Sequence, residues 1–211
     1  MNVHLRLFPI LLVCAGLAGC VTFERVPAPL TCDTRLVGRW LPMANSEEEK
    51  ATLTKDDYVQ VDPQCKAMFS FSQTSSRPLT TLQVDARGFT LEGQHYLALS
   101  EADVARLLAQ GMSIDGQPPR EPADHTPTEA VTLLRYRIEE DVFSYAMIDY
   151  AMVEKLVKEK SLDADALDQV SINLKCDDEH LLGILRQYPE LFKQDPKMTM
   201  TLRRAPVEAG P

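Results

Sequence analysis

Few side chains in this sequence are spaced as catalysis or metal binding requires. His95, His125 and His180 are isolated, and none belongs to a His-Glu-x-x-His pair or another metal-ligand spacing. No serine lies in a Gly-x-Ser-x-Gly turn, and there is no glycine-rich phosphate loop. The acidic run 177–180 resembles a ligand cluster, but it precedes an amphipathic stretch, where acidic residues stabilise a helix N-terminus. We therefore expect no metal, no cofactor and no enzymatic activity.

The N-terminal residues have the three zones of an export signal. Arg6 and the chain amine give a basic start, an apolar run follows to Leu17, and small residues come next. The apolar run is shorter than the roughly 20 residues that span a bilayer. Leu17-Ala18-Gly19-Cys20 resembles the lipobox of bacterial lipoproteins, in which the cysteine thiol carries a diacylglycerol and the freed amine a further acyl chain. The resemblance implies that residues 1–19 are removed and that Cys20 is lipidated.

The same resemblance implies a location. Val21 stands where an Asp would favour retention in the inner membrane, so the outer membrane is implied. Each buried acyl methylene contributes about 0.8 kcal/mol, so two or three chains give a durable anchor. Residues 20–33 include Pro27 and Pro29 and show no periodicity. We predict that they form an extended tether between the lipid and the folded domain.

Three cysteines follow the lipobox, namely Cys32, Cys65 and Cys176. In an oxidising compartment they allow three alternative pairings, each with one thiol left over. Cys32 precedes a predicted strand at 36–41, and Cys65 follows one at 58–62. Antiparallel pairing of these strands would bring both cysteines to the same end. We therefore favour a Cys32–Cys65 disulfide, with Cys176 as a small buried residue.

The chain is acidic, with a formal net charge of −9, which becomes −10 when Arg6 is removed with the signal. Nucleic acids and anionic lipid surfaces are bound through excess Lys and Arg, so neither is an expected partner. A basic envelope protein would be attracted by this charge. The alternative is that the charge serves only solubility.

Alternating apolar residues and turn signals predict an antiparallel meander. The predicted strands are 36–41, 58–62, 67–72, 80–85, 89–92, 131–138, 142–146 and 198–203. In the first of them, Gly38-x-Trp40 is similar to the start of lipocalin-type barrels, where the Trp closes the barrel base. The alternative is a core Trp in an unrelated sheet, since the chain has more helix than a plain eight-stranded barrel.

A strand followed by a capped helix recurs along the chain. Segments 96–108 and 145–157 align without gaps, and 173–185 fits as a third copy. The predicted caps are Ser100, Asp149 and Asp177. Apolar residues follow each cap at +4, +7 and +8, which places them on one helical face. We predict an α+β fold, with a mostly antiparallel sheet and about three short helices covering one face or end.

One folded domain is expected over 34–204, followed by a disordered tail at 205–211. It has two possible halves, 34–111 and 131–204, joined by the proline-rich segment 112–130. This segment is either a linker or a binding loop. As a binding loop it would present Asp115, Arg120, Glu121, Asp124 and His125.

Three hypotheses for function follow. The first is a non-enzymatic, lipid-anchored envelope protein that binds another protein, similar to immunity or inhibitor lipoproteins that block toxins or hydrolases attacking the cell wall. The alternative is a lipocalin-like carrier, which requires an apolar cavity on the order of several hundred Å³. The third is a hydrolase in which two distant carboxylates converge, at least one with a raised pKa.

Overall fold

The computed structural model describes residues 20–27, 29–44, 47–54, 56–71, 80–104, 106, 130–168, 171–192 and 199–206. These ranges contain one sheet of twelve strands. The strands are β1 (Cys20–Phe23), β2 (Gly38–Pro42), β3 (Tyr58–Val61), β4 (Lys66–Phe71), β5 (Thr80–Asp85), β6 (Gly88–Leu91), β7 (Gln94–Ser100), β8 (Val131–Glu139), β9 (Val142–Met147), β10 (Ala164–Asp168), β11 (Ser171–Leu174) and β12 (Thr199–Arg204).

The described helices are few and short. They are α1 (Glu47–Thr52), α2 (Tyr150–Lys158) and α3 (Asp178–Gln187), and residues 101–104 are also helical. No described helix is long and apolar enough to cross a membrane. All strand pairs except β1–β11 are antiparallel, so the prediction of a mostly antiparallel sheet with a few helices is confirmed.

The predicted strand-and-helix units are present. β7 leads into the helical residues 101–104, β9 leads into α2, and β11 leads into α3. The side chains of Ser100, Asp149 and Asp177 each accept the backbone N–H three residues further on, at 3.1, 3.2 and 2.8 Å. Each side chain therefore satisfies a backbone donor that the first helical turn leaves unpaired.

Eight strand segments close into a ring, which we call the barrel. Its order is β2, β3, β4, the joined pair β5–β6, β7, β8, β9 and β12, which pairs again with β2. The joined pair bends at Ala86-Arg87, so that β5 pairs with β4 whereas β6 pairs with β7. Gly88 is required at this bend, because a Cβ there would lie 1.7 Å from the carbonyl oxygen of Tyr96.

The barrel has two distinct ends, which the strand register defines. The 3₁₀ turn Thr34–Leu36 precedes β2 at one end, which we call the base. At the opposite end, the mouth, β7 finishes and the helical residues 101–104 begin. Ser100 pairs with Val131 at the mouth, so β8 runs from the mouth towards the base.

Two apolar cores lie on opposite sides of the barrel wall. Alternate residues of β7 separate them: Leu97 and Leu99 point into the barrel, whereas Tyr96 and Ala98 belong to the outer core. All four are buried because both faces of this strand are covered. The outer core is completed by α2, α3, β1 and β11. The helices α2 and α3 therefore cover one outer face of the barrel.

The predicted tether over 20–33 is wrong for its first residues. Cys20–Phe23 forms β1, which pairs in parallel with β11, and Val21 and Phe23 are 4% and 0% exposed in the outer core. Burial of the Val21 and Phe23 side chains holds this segment in the sheet, although the prolines that follow favour a free chain. Thr31, later in the same segment, forms a bridge with Gly88.

The two possible halves, 34–111 and 131–204, share one sheet. β2 of the first half pairs with β12 of the second, and β7 of the first pairs with β8 of the second. Each half contributes a contiguous block of strands, and the two blocks meet along both of these pairs, because a closed barrel needs its first and last strands to meet.

Candidate ligand cavity

The barrel contains an apolar cavity of about 150 Å³, which is partly open. Leu36, Trp40 and Phe143 line it towards the base, and Leu99, Val104 and Leu134 line it towards the mouth. None of the described lining residues is charged. An apolar cavity of this size can accept a benzene-sized molecule. Its volume is smaller than the several hundred Å³ expected for a carrier, so only a small ligand would fit.

The base is closed by an arrangement that explains Gly38-x-Trp40. The indole of Trp40 is 2% exposed, and its Nε1 donates to the carbonyl of Leu36 at 2.7 Å. The guanidinium of Arg204 lies over this ring, 4.2 Å from its centroid, and donates to the carbonyls of Val37 and Arg35 at 2.7 and 2.6 Å. Such a stack adds cation–π attraction to the hydrogen bonds.

Gly38 makes room for this contact. Its φ is +132°, and a Cβ would lie 2.7 Å from Nη1 of Arg204. A side chain there would meet both an unfavourable backbone conformation and a clash. Gly38, Trp40 and Arg204 of β12 therefore close the base together.

A polar cluster lies beside the base. The carboxylate of Asp33 accepts hydrogen bonds from Tyr136 at 2.8 Å and from Arg35 Nη2 at 2.6 Å. Burial alone would raise the pKa of Asp33, but the hydrogen bonds from Arg35 and Tyr136 outweigh it and lower the pKa to about 2. Burial and the hydrogen bond to Asp33 raise the pKa of Tyr136. Both groups thus keep their usual charge at neutral pH.

His95 belongs to the same cluster. Arg35 Nη2 lies 2.9 Å from His95 Nε2, and a guanidinium can only donate, so Nε2 is the acceptor. Nδ1 therefore carries the proton and donates to the hydroxyl of Thr90 at 3.0 Å. Asp33, Arg35, Tyr136 and His95 thus position one another. The tautomer of His95 follows from its contacts with Arg35 and Thr90.

The disulfide prediction is confirmed at this end. Cys32 and Cys65 are bonded, with their Cα atoms 5.6 Å apart. A bond across 33 residues stabilises the fold by about 3–4 kcal/mol in the chain-entropy model. Cys176 is free and buried in the outer core, where burial raises the pKa of its thiol.

An open groove of about 650 Å³ lies outside the barrel, between its strands and α3. Its three described arginines are already engaged, and Arg137 pairs with Glu139 at 3.2 Å. Arg135 donates to the carbonyls of Pro189, at 2.9 Å, and of Phe192, while Arg186 donates to Glu92 at 2.9 Å. These contacts hold the end of α3 and the turn after it against the barrel, so we assign them a structural role.

The residues predicted for a binding loop, Asp115, Arg120, Glu121, Asp124 and His125, lie outside the described residues, as does the whole of 112–129. The backbone of Cys20 begins β1. Within the described part of the chain, no group of three or more His, Cys, Asp or Glu could hold a metal ion. The two described carboxylates with a shifted pKa, Asp33 and Asp85, are both lowered, which gives the hydrolase hypothesis no support.

Reasoning from the sequence found Trp40 but missed its partners. Arg204, which lies over Trp40, comes from the other end of the chain, and Asp33, His95 and Tyr136 come from three segments far apart in the sequence, so these contacts depend on the barrel closing. No protein-family model, curated protein or solved structure matches this chain.

Proposed function

We propose that this chain is a lipid-anchored envelope protein that binds one small apolar molecule inside its barrel. The observation that carries the proposal is the uncharged, apolar cavity of about 150 Å³. Protein interiors are normally close-packed, and walls that face empty space lose dispersion contacts. A ligand that filled the cavity would restore those contacts and leave water at the same time.

The surroundings of the cavity support this role. The base is braced by Trp40, Arg204 and the Cys32–Cys65 disulfide, so it is suited to keep its shape without a ligand. Val104, at the mouth, is on a short helical stretch and lines the cavity. The resemblance of Gly38-x-Trp40 to lipocalin-type proteins points to the same class of function, that of an apolar-ligand carrier.

The proposal includes a location at the outer membrane. The lipobox-like residues before Cys20, and Val21 after it, favour anchoring in the outer membrane by a diacylglycerol. The rival hypothesis, an inhibitor or immunity protein that binds a basic envelope protein, depends on the acidic charge and on the segment 112–130. It stays a prediction, and pull-down from the native envelope is its test.

Calorimetric titration of the purified chain with benzene tests the cavity. We expect saturable binding, with a Kd of about 1 mM or tighter, which corresponds to about 4 kcal/mol. The variant Ala67→Leu adds three carbon atoms at a buried lining position and should weaken binding at least tenfold.

The matched control is Met68→Leu, on the same strand but not among the cavity-lining residues. This swap conserves volume and should leave benzene binding unchanged. Absence of binding to the unmodified chain, or equal binding by Ala67→Leu, would contradict the proposal.

A further inference from the structure

The groove outside the barrel is larger than the cavity inside it, and the proposed function does not use it. Its volume of about 650 Å³ lies within the range of about 300–1,000 Å³ that is typical of sites for small molecules. β7, β8 and β9 form its floor, and α3 with the turn after it forms one wall. The groove therefore has the size of a ligand site.

The lining of the groove is positively charged, although the chain as a whole is acidic. Arg135, Arg137 and Arg186 line it together with one described carboxylate, that of Glu92. Three positive charges and one negative charge give +2, whereas the formal net charge of the chain is −9. Positive charge that is concentrated in a cleft attracts small anions.

Arg135 is half-buried in this groove, and hydrogen bonds hold it without neutralising its charge. Its guanidinium donates to the backbone carbonyls of Pro189, at 2.9 Å, and of Phe192, and both acceptors are uncharged. In the described part of the chain, no carboxylate forms an ion pair with it. Two carbonyls occupy two of its five N–H groups, so others remain for a ligand. The same contacts fix the guanidinium in place, which reduces the entropy lost when an anion binds.

The other two arginines are held by ion pairs that an incoming anion can replace. Nη1 of Arg137 lies 3.2 Å from Glu139, and Nε of Arg186 lies 2.9 Å from Glu92. All four side chains are about half exposed or more, and exposed pairs of this kind contribute little to stability. Because their carboxylates can return to water, both arginines are available to a ligand.

The strand geometry places two of these arginines beside each other. Arg135 and Arg137 alternate along β8 with Leu134 and Tyr136, which pack inside the barrel, so both arginines project outwards. Their Cα atoms are about 7 Å apart, since each residue of a strand adds about 3.3 Å. Ser144 of β9 pairs with Arg137 and adds a hydroxyl to the groove. One anionic head can therefore contact both guanidinium groups.

We infer that the groove binds a small organic anion whose carboxylate or phosphate head lies between Arg135 and Arg137. The planar fork of an arginine matches the paired oxygens of either head. Tyr96, Leu185 and Pro189 also line the groove, and they offer apolar surface to the body of such a molecule. A free anion is favoured over a lipid headgroup, because the net charge of −9 opposes approach to an anionic bilayer.

Calorimetric titration of the purified full chain with phenyl phosphate and with benzoate tests this site. We expect saturable binding of at least one of them, with a Kd of about 1 mM or tighter. Arg137→Gln removes a charged donor at an exposed position and should weaken binding about tenfold. The matched control is Arg203→Gln, which removes one positive charge from an exposed position of β12 outside the groove lining and should leave the Kd unchanged.

Two further arms separate the alternatives. Ala67→Leu, which narrows the barrel cavity, should bind the anions as tightly as the unmodified chain, so failure of this site is distinguishable from failure of the proposed function. Cys20→Ser, which cannot carry the lipid, should not sediment with phosphatidylglycerol vesicles. Binding of neither anion, equal Kd values for Arg137→Gln and the unmodified chain, or an equal loss in Arg203→Gln would overturn the inference. Sedimentation with vesicles that Arg137→Gln abolishes would overturn the choice of a free anion.

Discussion

At the scale of single residues, the closure of the base depends on three side-chain positions acting together. Gly38 leaves the space, Arg204 fills it, and Trp40 is the surface on which the guanidinium rests. The guanidinium also satisfies carbonyls of the turn before β2, so the contact joins the first and last strands of the barrel.

Gly38→Ala should therefore lower the free energy of unfolding by about 1–3 kcal/mol, through the positive φ and the clash with Arg204. Urea denaturation measures this. The control is Gly183→Ala in α3, where a Cβ meets nothing within 4 Å and helix propensity should add about 0.5–1 kcal/mol. Equal effects of the two substitutions would show that Gly38 has no special role.

The hydrogen bonds that Asp33 accepts from Arg35 and Tyr136 make stability depend on pH. The folded pKa of Asp33 is lowered to about 2, so its contribution is present above the unfolded value near 4 and is lost as pH falls from about 4 to 2. Tyr136→Phe should cost about 1 kcal/mol at pH 7, and the difference from the unmodified chain should shrink over that window. A difference that stays constant from pH 7 to pH 2 would contradict this link.

At the scale of elements, the sequence was sufficient to predict those features that depend only on neighbouring residues. The caps Ser100, Asp149 and Asp177 could be predicted because a cap needs only its own helix. β1 could not be predicted from local signals. Its four residues precede a proline-containing stretch, and they form a strand only by pairing with β11, about 150 positions later. β10 was missed for a different reason, since its acidic residues interrupt the apolar pattern.

The place of β1 gives a test of the corrected tether. Phe23→Ala removes a side chain with no exposed surface from the outer core and should destabilise the chain by about 3–5 kcal/mol. Chemical denaturation is the measurement. Glu24→Ala, at the exposed next residue, is the control and should change stability by less than about 0.5 kcal/mol. A small effect of Phe23→Ala would mean that β1 is the loose tether first expected.

At the scale of the whole molecule, the proposed lipid anchor joins directly onto the sheet. Lipidated Cys20 would be the first residue of β1, with no free segment between the lipid and the pairing of β1 with β11. The folded domain would then lie at the membrane surface rather than about 30 Å away from it.

Cys20→Ser should release the protein from the membrane fraction without unfolding it. Serine offers the same backbone groups to β11, so circular dichroism and the unfolding midpoint should match those of the lipidated form. Fractionation of cells is the measurement. Retention of Cys20→Ser in the membrane fraction would contradict lipidation at this residue.

The barrel and its cavity belong to this largest scale, which is why the sequence indicated them only through Gly38-x-Trp40. The cavity exists because β2 meets β12 and because β7 meets β8. Both contacts join distant segments, and neither leaves a pattern in a single stretch of residues. Residue alternation predicts which side chains face inward, but not whether they fill the space that they enclose.

The most direct test of the central claim is a crystal structure determined under xenon pressure, because xenon enters apolar cavities of this size. We predict one strong xenon peak inside the barrel, between Trp40 and Phe143 at the base and Leu134 towards the mouth. Absence of xenon there, with the lining side chains in mutual contact across the barrel, would contradict the account of this chain as an apolar-ligand binder.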